Sequence, residues 1–148
     1  MTPSNQVPQR ILIVDDEPAN VELLEAYLVE VADEVRSVTN SADAEEVFHV
    51  FEPDLVLLDL HMPDPDGLEL LRRLRGSRGR LGFLPVIVLT ADASPAARTS
   101  ALILGADDFL TKPLDRHEVR LRVRNLLHTR HLFKELTRKT GSFPQPPG

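Results

Sequence analysis

The chain has 148 residues, 42% hydrophobic and 27% charged, with no cysteine and a formal net charge of −6. That length suits one domain with a full core plus an appendage and is short for two domains of ordinary size. The missing cysteines exclude disulfides and thiolate metal sites and fit a reducing cytoplasm, and no apolar run approaches the roughly 18 residues of a membrane helix, so no membrane partner is expected.

Residues 1–9 are polar, contain prolines, lack a signal-peptide pattern and are expected to be flexible. Ile11, Leu12, Ile13 and Val14 then form a short continuous apolar run that ends in Asp15, Asp16 and Glu17, which reads as a first buried strand. Pro18 suits a first helical turn, and Val21, Leu23, Leu24, Tyr27, Leu28 and Val31 recur at near-helical spacing, so a helix is expected from Pro18 to about Glu30. Glu34 to Val38 reads as a weaker strand. Ser41, with Glu45 and Glu46 behind it, opens a second helix through about Val50 whose apolar face is Ala44, Val47 and Phe48. Leu55 to Leu58, four apolar residues between Asp54 and Asp59, read as a central strand buried on both faces. Pro63, Asp64, Pro65, Asp66 and Gly67 make a dense turn signal directly after it.

Leu68, Leu70, Leu71 and Leu74 mark a third helix ending near Gly76, and Ser77 to Phe83 is a surface connection. Pro85 to Leu89 is a fourth strand ending in Thr90. Ser94 and Pro95 start a helix that runs to Gly105, a C′ glycine. Asp107 to Thr111 is a fifth strand ending in Lys112 and Pro113. The last helix opens at Asp115 and continues past Leu127 through Leu132, Phe133 and Leu136, with Arg130 interrupting the apolar stripe. Residues 10–128 are assigned to the domain, 129–140 to a helical extension and 141–148, with three prolines, to a disordered tail.

Five strand-helix units in alternation predict an α/β fold: a doubly wound, five-stranded parallel sheet with five helices, flavodoxin-like, the last helix extended. Right-handed crossovers bring the strand C-termini to one edge, where ligands bind in such sheets. Asp15, Asp16, Asp59, Thr90 and Lys112 meet there. Taken singly, each has an ordinary use: acids at a helix N-terminus, a Thr cap, a Lys-Pro turn. Together they describe a chemistry. Three carboxylates in one cleft need a positive partner, and Mg²⁺, a hard octahedral ion that shares its sites with phosphate oxygens, fits best. Asp59 is then the nucleophile toward a phosphoryl group, with Lys112 and the Thr90 hydroxyl on its other oxygens.

These motifs resemble the response regulator receiver domain of bacterial two-component signalling over about Gln9 to Leu127. The carrying residues are Ile11 to Glu17, Asp59 to Pro63 with Gly67 after it, Val88 to Ala91, and Thr111 to Pro113. The resemblance implies that Asp59 is phosphorylated by a sensor histidine kinase or phosphotransfer protein, and that Asp16 and Asp59 ligate Mg²⁺ directly. It further implies that Asp15 reaches the metal through water, that the His61 backbone carbonyl is the third protein ligand, and that the Lys112–Pro113 peptide is cis. Thr90 and Phe109 resemble the family's switch pair, Phe standing where Tyr is frequent, and Ala91 is small as suits an open site. Such a protein catalyses only its own phosphotransfer and dephosphorylation, is cytoplasmic, and acts on a downstream protein target.

Competing readings fall to particular residues. A haloacid-dehalogenase-type phosphohydrolase needs a second Asp two positions after the nucleophile, where this chain has His61. Calcium binding at Asp64 to Gly67 fails because Met62 and the prolines break the EF-hand pattern. A receiver-like interaction scaffold acting without phosphorylation is the alternative, opposed by the complete five-residue set. From Asp115 onward eight basic residues face three acidic ones, a net +5 that leaves −11 on the rest. With no recognition module beside them, these arginines read as a solvated helix face, and nucleic acid is not expected as a partner. The apolar residues after Leu127 favour a homodimer through the last helix.

Overall fold

The computed structural model describes residues 8–63, 65–77 and 83–140. The expectations for the N-terminal tail before residue 8, for Asp64, for the core of the 77–83 connection and for the 141–148 tail lie outside these residues. The elements in order are β1 (Arg10–Val14), α1 (Pro18–Leu28), β2 (Glu34–Val38), a 3-10 turn (Ser41–Asp43), α2 (Ala44–Phe51), β3 (Leu55–Asp59), α3 (Gly67–Ser77), β4 (Val86–Thr90), α4 (Pro95–Ile103), β5 (Asp108–Thr111) and α5 (Arg116–Thr140). All five strands pair in parallel in the order β2-β1-β3-β4-β5.

The continuous apolar strands are explained by cores on both faces. Ile11 and Ile13 of β1 and Leu55 and Leu57 of β3 point to one side, where Leu24 and Leu28 of α1 and Val119, Val123 and Leu127 of α5 cover them. The alternate residues Leu12, Val14, Val56 and Leu58 point to the other side, against Phe48 of α2, Leu70, Leu71 and Leu74 of α3 and Ala101 of α4. Because side chains alternate along a strand, each central strand feeds two cores and has no polar position until it ends. The order reverses at β1 and β3, and the crevice at that reversal lies above their C-terminal ends.

Local chemistry sets the boundaries, and several differ from the pattern reading. Helix α1 stops at Leu28, not Glu30, because Val31 and Ala32 both donate to the Leu28 carbonyl and close the chain into a turn. Ser41 opens a 3-10 turn rather than α2 itself: the Asn40 side chain accepts from the Ala42 N–H, and the Ser41 hydroxyl donates to the Pro63 carbonyl. Helix α2 runs to Phe51 and ends on Glu52 in the left-handed region at φ 52°. Asp107 stays out of β5 because its carboxylate accepts the Val86 N–H and pairs with Arg75. At the end of α4, Gly105 (φ +107°) donates to the Leu102 carbonyl and Ala106 to that of Ala101, the paired bonds of a Schellman cap.

The last helix departs from the pattern in a more consequential way. Arg130 does not interrupt the inward stripe: it is 6% exposed and turned toward the body, while Phe133 is half-buried with its ring 6.1 Å from that of Phe83. Leu121, Leu132 and Leu136 are exposed, at 61%, 54% and 49%. A charged residue occupies a core-facing position only where a partner neutralises it. That partner is Asp54, 76 positions earlier, which helical periodicity cannot reveal.

Candidate functional site

Parallel register brings the site together. Val14 pairs with Leu58, so Asp15 follows β1 beside Asp59, the last residue of β3; Thr90 ends β4 opposite Thr111, which places Lys112 just past the end of β5. Asp15, Asp59 and Thr90 are buried, at 0%, 2% and 3% exposure, while Asp16 is exposed. Residues 15, 16 and 59 each offer a carboxylate oxygen within 4.8 Å of the others.

One cation reaches two of these acids. Lys112 Nζ lies 3.3 Å from Asp59 Oδ1 and 3.6 Å from Asp15 Oδ2, and the Lys112 N–H donates to the Thr90 carbonyl at 2.8 Å. The Lys112–Pro113 peptide is cis. Asp15 Oδ1 accepts the Glu17 N–H at 3.0 Å, whereas Oδ2 is buried and has no hydrogen-bond partner among the described residues. Burial pushes the Asp15 carboxyl above its ordinary value, and the Asp59 charge adds to the push; the Glu17 N–H and Lys112 pull the other way. A buried carboxylate oxygen with no hydrogen bond among the described residues, facing two further hard oxygen donors, is a set that fits a divalent cation such as Mg²⁺.

The rim is built by the turns after β3 and β4. The His61 N–H donates to Asp59 Oδ1 at 3.1 Å, which holds the His61 backbone beside the carboxylate. Gly67 opens α3 against the end of β3: a Cβ there would meet the Asp59 carbonyl oxygen at 2.3 Å and Leu60 Cα at 2.4 Å, so only glycine permits this approach. The Thr90 hydroxyl accepts the Asp92 N–H at 3.0 Å and lies 3.3 Å from His61 Nε2. The Ser94 backbone N–H, then its side chain, hold the Asp92 carboxyl below the usual range. Ala91 is exposed beside the opening. Phe109 is half-buried, packs on the core under α3 and α4, and has the Arg98 guanidinium 4.2 Å from its ring centroid.

Two contacts here had no sequence signal. The His61 imidazole meets Thr90 across 29 positions, and Arg98 covers Phe109 from α4. Each joins segments distant in sequence whose spacing only the assembled sheet defines. Arg98 could have been suspected as a basic residue on a helix without acidic neighbours.

The family model of the response regulator receiver domain matches residues 11–124. The chain belongs to this family. Among curated relatives of the receiver, the transcriptional regulatory protein GltR of Pseudomonas aeruginosa is 44% identical over 117 residues, covering 79% of this chain and 48% of GltR. The transcriptional regulatory protein TrcR of Mycobacterium tuberculosis is 40% identical over 120 residues, covering 81% of this chain and 46% of TrcR. The receiver thus spans about half the length of these relatives. Among solved structures, the signal receiver domain of a signal transduction histidine kinase from Syntrophus aciditrophicus is 36% identical with a TM-score of 0.72, covering 82% of this chain and 91% of that one. The receiver is therefore a response regulator domain of two-component signalling, with the five-stranded parallel fold of its neighbours. Among the described residues no helix is long and apolar enough to cross a membrane.

Proposed function

We propose that this receiver accepts a phosphoryl group on Asp59 from the phosphohistidine of a sensor histidine kinase or phosphotransfer protein, and thereby switches a surface read by a downstream protein. The observation that carries this reading is the convergence of Lys112, Asp15 and Asp16 on one buried carboxylate at the end of the central strand. In the transfer an Asp59 carboxylate oxygen attacks phosphorus, the phosphorus–nitrogen bond of the donor breaks, and the imidazole leaves with the electron pair. Lys112 is 3.3 Å from the attacking carboxylate and supplies positive charge to the transferring oxygens. Asp15, Asp16, Asp59 and the His61 backbone carbonyl would hold Mg²⁺, which offsets the charge gathered on carboxylates and phosphate. The small Ala91 leaves the donor room to approach.

The switch follows from what Thr90 must give up. Its hydroxyl is held by the Asp92 N–H and lies near His61, so reaching a phosphoryl oxygen means leaving those partners. The vacated space admits Phe109, whose ring carries no hydroxyl needing a partner. Arg98, stacked on that ring, moves with it and alters the face formed by α4, β5 and α5.

The receiver unit is taken as residues 10–128, with 129–140 a helical extension and a cytoplasmic setting. The relatives are named as transcriptional regulatory proteins, which supports transcription as the downstream process. The exposed Leu121 and Leu132, on one outer line of α5, support contact with a second copy. Incubation with Mg²⁺ and acetyl phosphate, read by intact mass, tests the reading: wild type gains one phosphoryl group and Asp59→Ala gains none. An unmodified wild type would leave the interaction-scaffold alternative standing.

A further inference from the structure

We propose that Arg130 locks the extension of α5 onto the base of the central strands, making residues 129–140 a rigid arm with one fixed exit direction from the receiver. The latch is independent of phosphoryl chemistry and lies at the opposite end of β3 from Asp59. Arg130 Nε is 3.1 Å from Asp54 Oδ1, the two side chains being 7% and 14% exposed, and Arg130 Nη1 donates to the Phe83 carbonyl. Asp54 is itself fixed: its Oδ2 accepts the Arg10 N–H at 2.8 Å, and its N–H donates to the Arg10 carbonyl at 2.7 Å. One guanidinium therefore ties α5 to the starts of β1 and β3 and to the segment that leads into β4.

Neighbouring contacts extend the grip by a further turn. Phe133 lies against Phe83 at 6.1 Å between centroids, and Lys134 Nζ is 3.8 Å from Asp54 Oδ1. These α5 residues fall after residue 124, where the family match ends, whereas their partners Asp54 and Phe83 lie within it. An isolated helix of this length is marginal in water. A buried, paired arginine is the kind of directional contact that selects one docking angle, which an apolar side chain at the same place would not. The grip is on the base of the strand whose far end carries Asp59, so the arm is held in register with the site.

Amide hydrogen exchange on the full chain tests this, with β4 amides as internal reference. In wild type, amides 130–136 are expected to be protected well above an isolated helix. Asp54→Asn and Arg130→Gln each speed exchange in that segment by on the order of a hundredfold relative to β4. The double variant Asp54→Asn/Arg130→Gln, which pairs two neutral groups, recovers part of the protection because the two effects are not additive. Three results overturn the proposal: fast exchange of the arm in wild type, unchanged arm exchange in both single variants, or an equal rise in the arm and in β4, which would make the pair an ordinary core contact.

Discussion

Substituting Gly67 by alanine should damage the site and the fold together. The added Cβ would sit 2.3 Å from the Asp59 carbonyl oxygen, 2.4 Å from Leu60 Cα and 2.9 Å from the Asp59 carbonyl carbon, where ordinary contact begins near 3.4 Å. The overlap is about 1 Å and all three atoms are backbone at the end of a fully buried strand, so no side chain can swing aside. Either the first turn of α3 lifts, straining the Gly67 N–H bond to the Leu60 carbonyl, or the Asp59 backbone shifts. Overpacking of this kind costs about 1–3 kcal/mol. For a chain of this size that corresponds to a fall of about 3–10 °C in Tm. Gly76, on the same helix, is the control: its Cβ would meet nothing within 4 Å among the described residues, so Gly76→Ala should be neutral or stabilising by about 0.5 kcal/mol. Thermal and urea unfolding of both variants, with a Mg²⁺ titration of each, reads the outcome. If Gly67→Ala matched Gly76→Ala in stability and bound Mg²⁺ as wild type does, the close approach of α3 to Asp59 would have no structural consequence.

The metal set gives a second prediction: Asp16→Ala should abolish Mg²⁺ binding and Lys112→Ala should leave it largely intact, so equal losses in calorimetry would contradict the assigned roles. Because burial raises the folded carboxyl of Asp15, its contribution to stability is present at low pH and is lost as pH rises through that raised value; at pH 7 without Mg²⁺, Asp15→Asn should therefore raise Tm and remove the gain that Mg²⁺ gives wild type. A lowered Tm in the metal-free variant would count against a buried carboxylate that is unfavourable when charged. Adding Mg²⁺ and beryllofluoride should shift the resonances of Phe109 and Arg98 as well as those of the Asp59 loop, and changes confined to that loop would sever the switch. Sedimentation at micromolar concentration should show a dimer that is lost when the chain is cut before Leu132; a monomer in both forms, with and without beryllofluoride, would remove the role of α5 in association.

Much of the fold is legible in the sequence because a parallel sheet covered on both faces forces its central strands to be continuously apolar. Polar residues such as Asp15, Asp59 and Lys112 can then appear only where a strand stops. The convergence of those residues is legible for the same reason: parallel strands with right-handed crossovers share one C-terminal edge. What escapes is settled by contacts between distant segments. Arg130 looks like a break in an apolar stripe until Asp54 is brought beneath it, and the Arg98 stack on Phe109 depends on how α4 lies over β5. The stop of α1 at Leu28 and the 3-10 entry to α2 each turn on a pair of hydrogen bonds that helical periodicity does not encode.

In the proposed function one carboxylate, Asp59, receives the phosphoryl group. Phosphorylating the protein with acetyl phosphate and Mg²⁺, reducing the acyl phosphate with borohydride and mapping the resulting homoserine by peptide mass spectrometry tests it most directly. The label is expected at residue 59 and nowhere else. Homoserine at residue 15 or 16, or label persisting in Asp59→Ala, would contradict it.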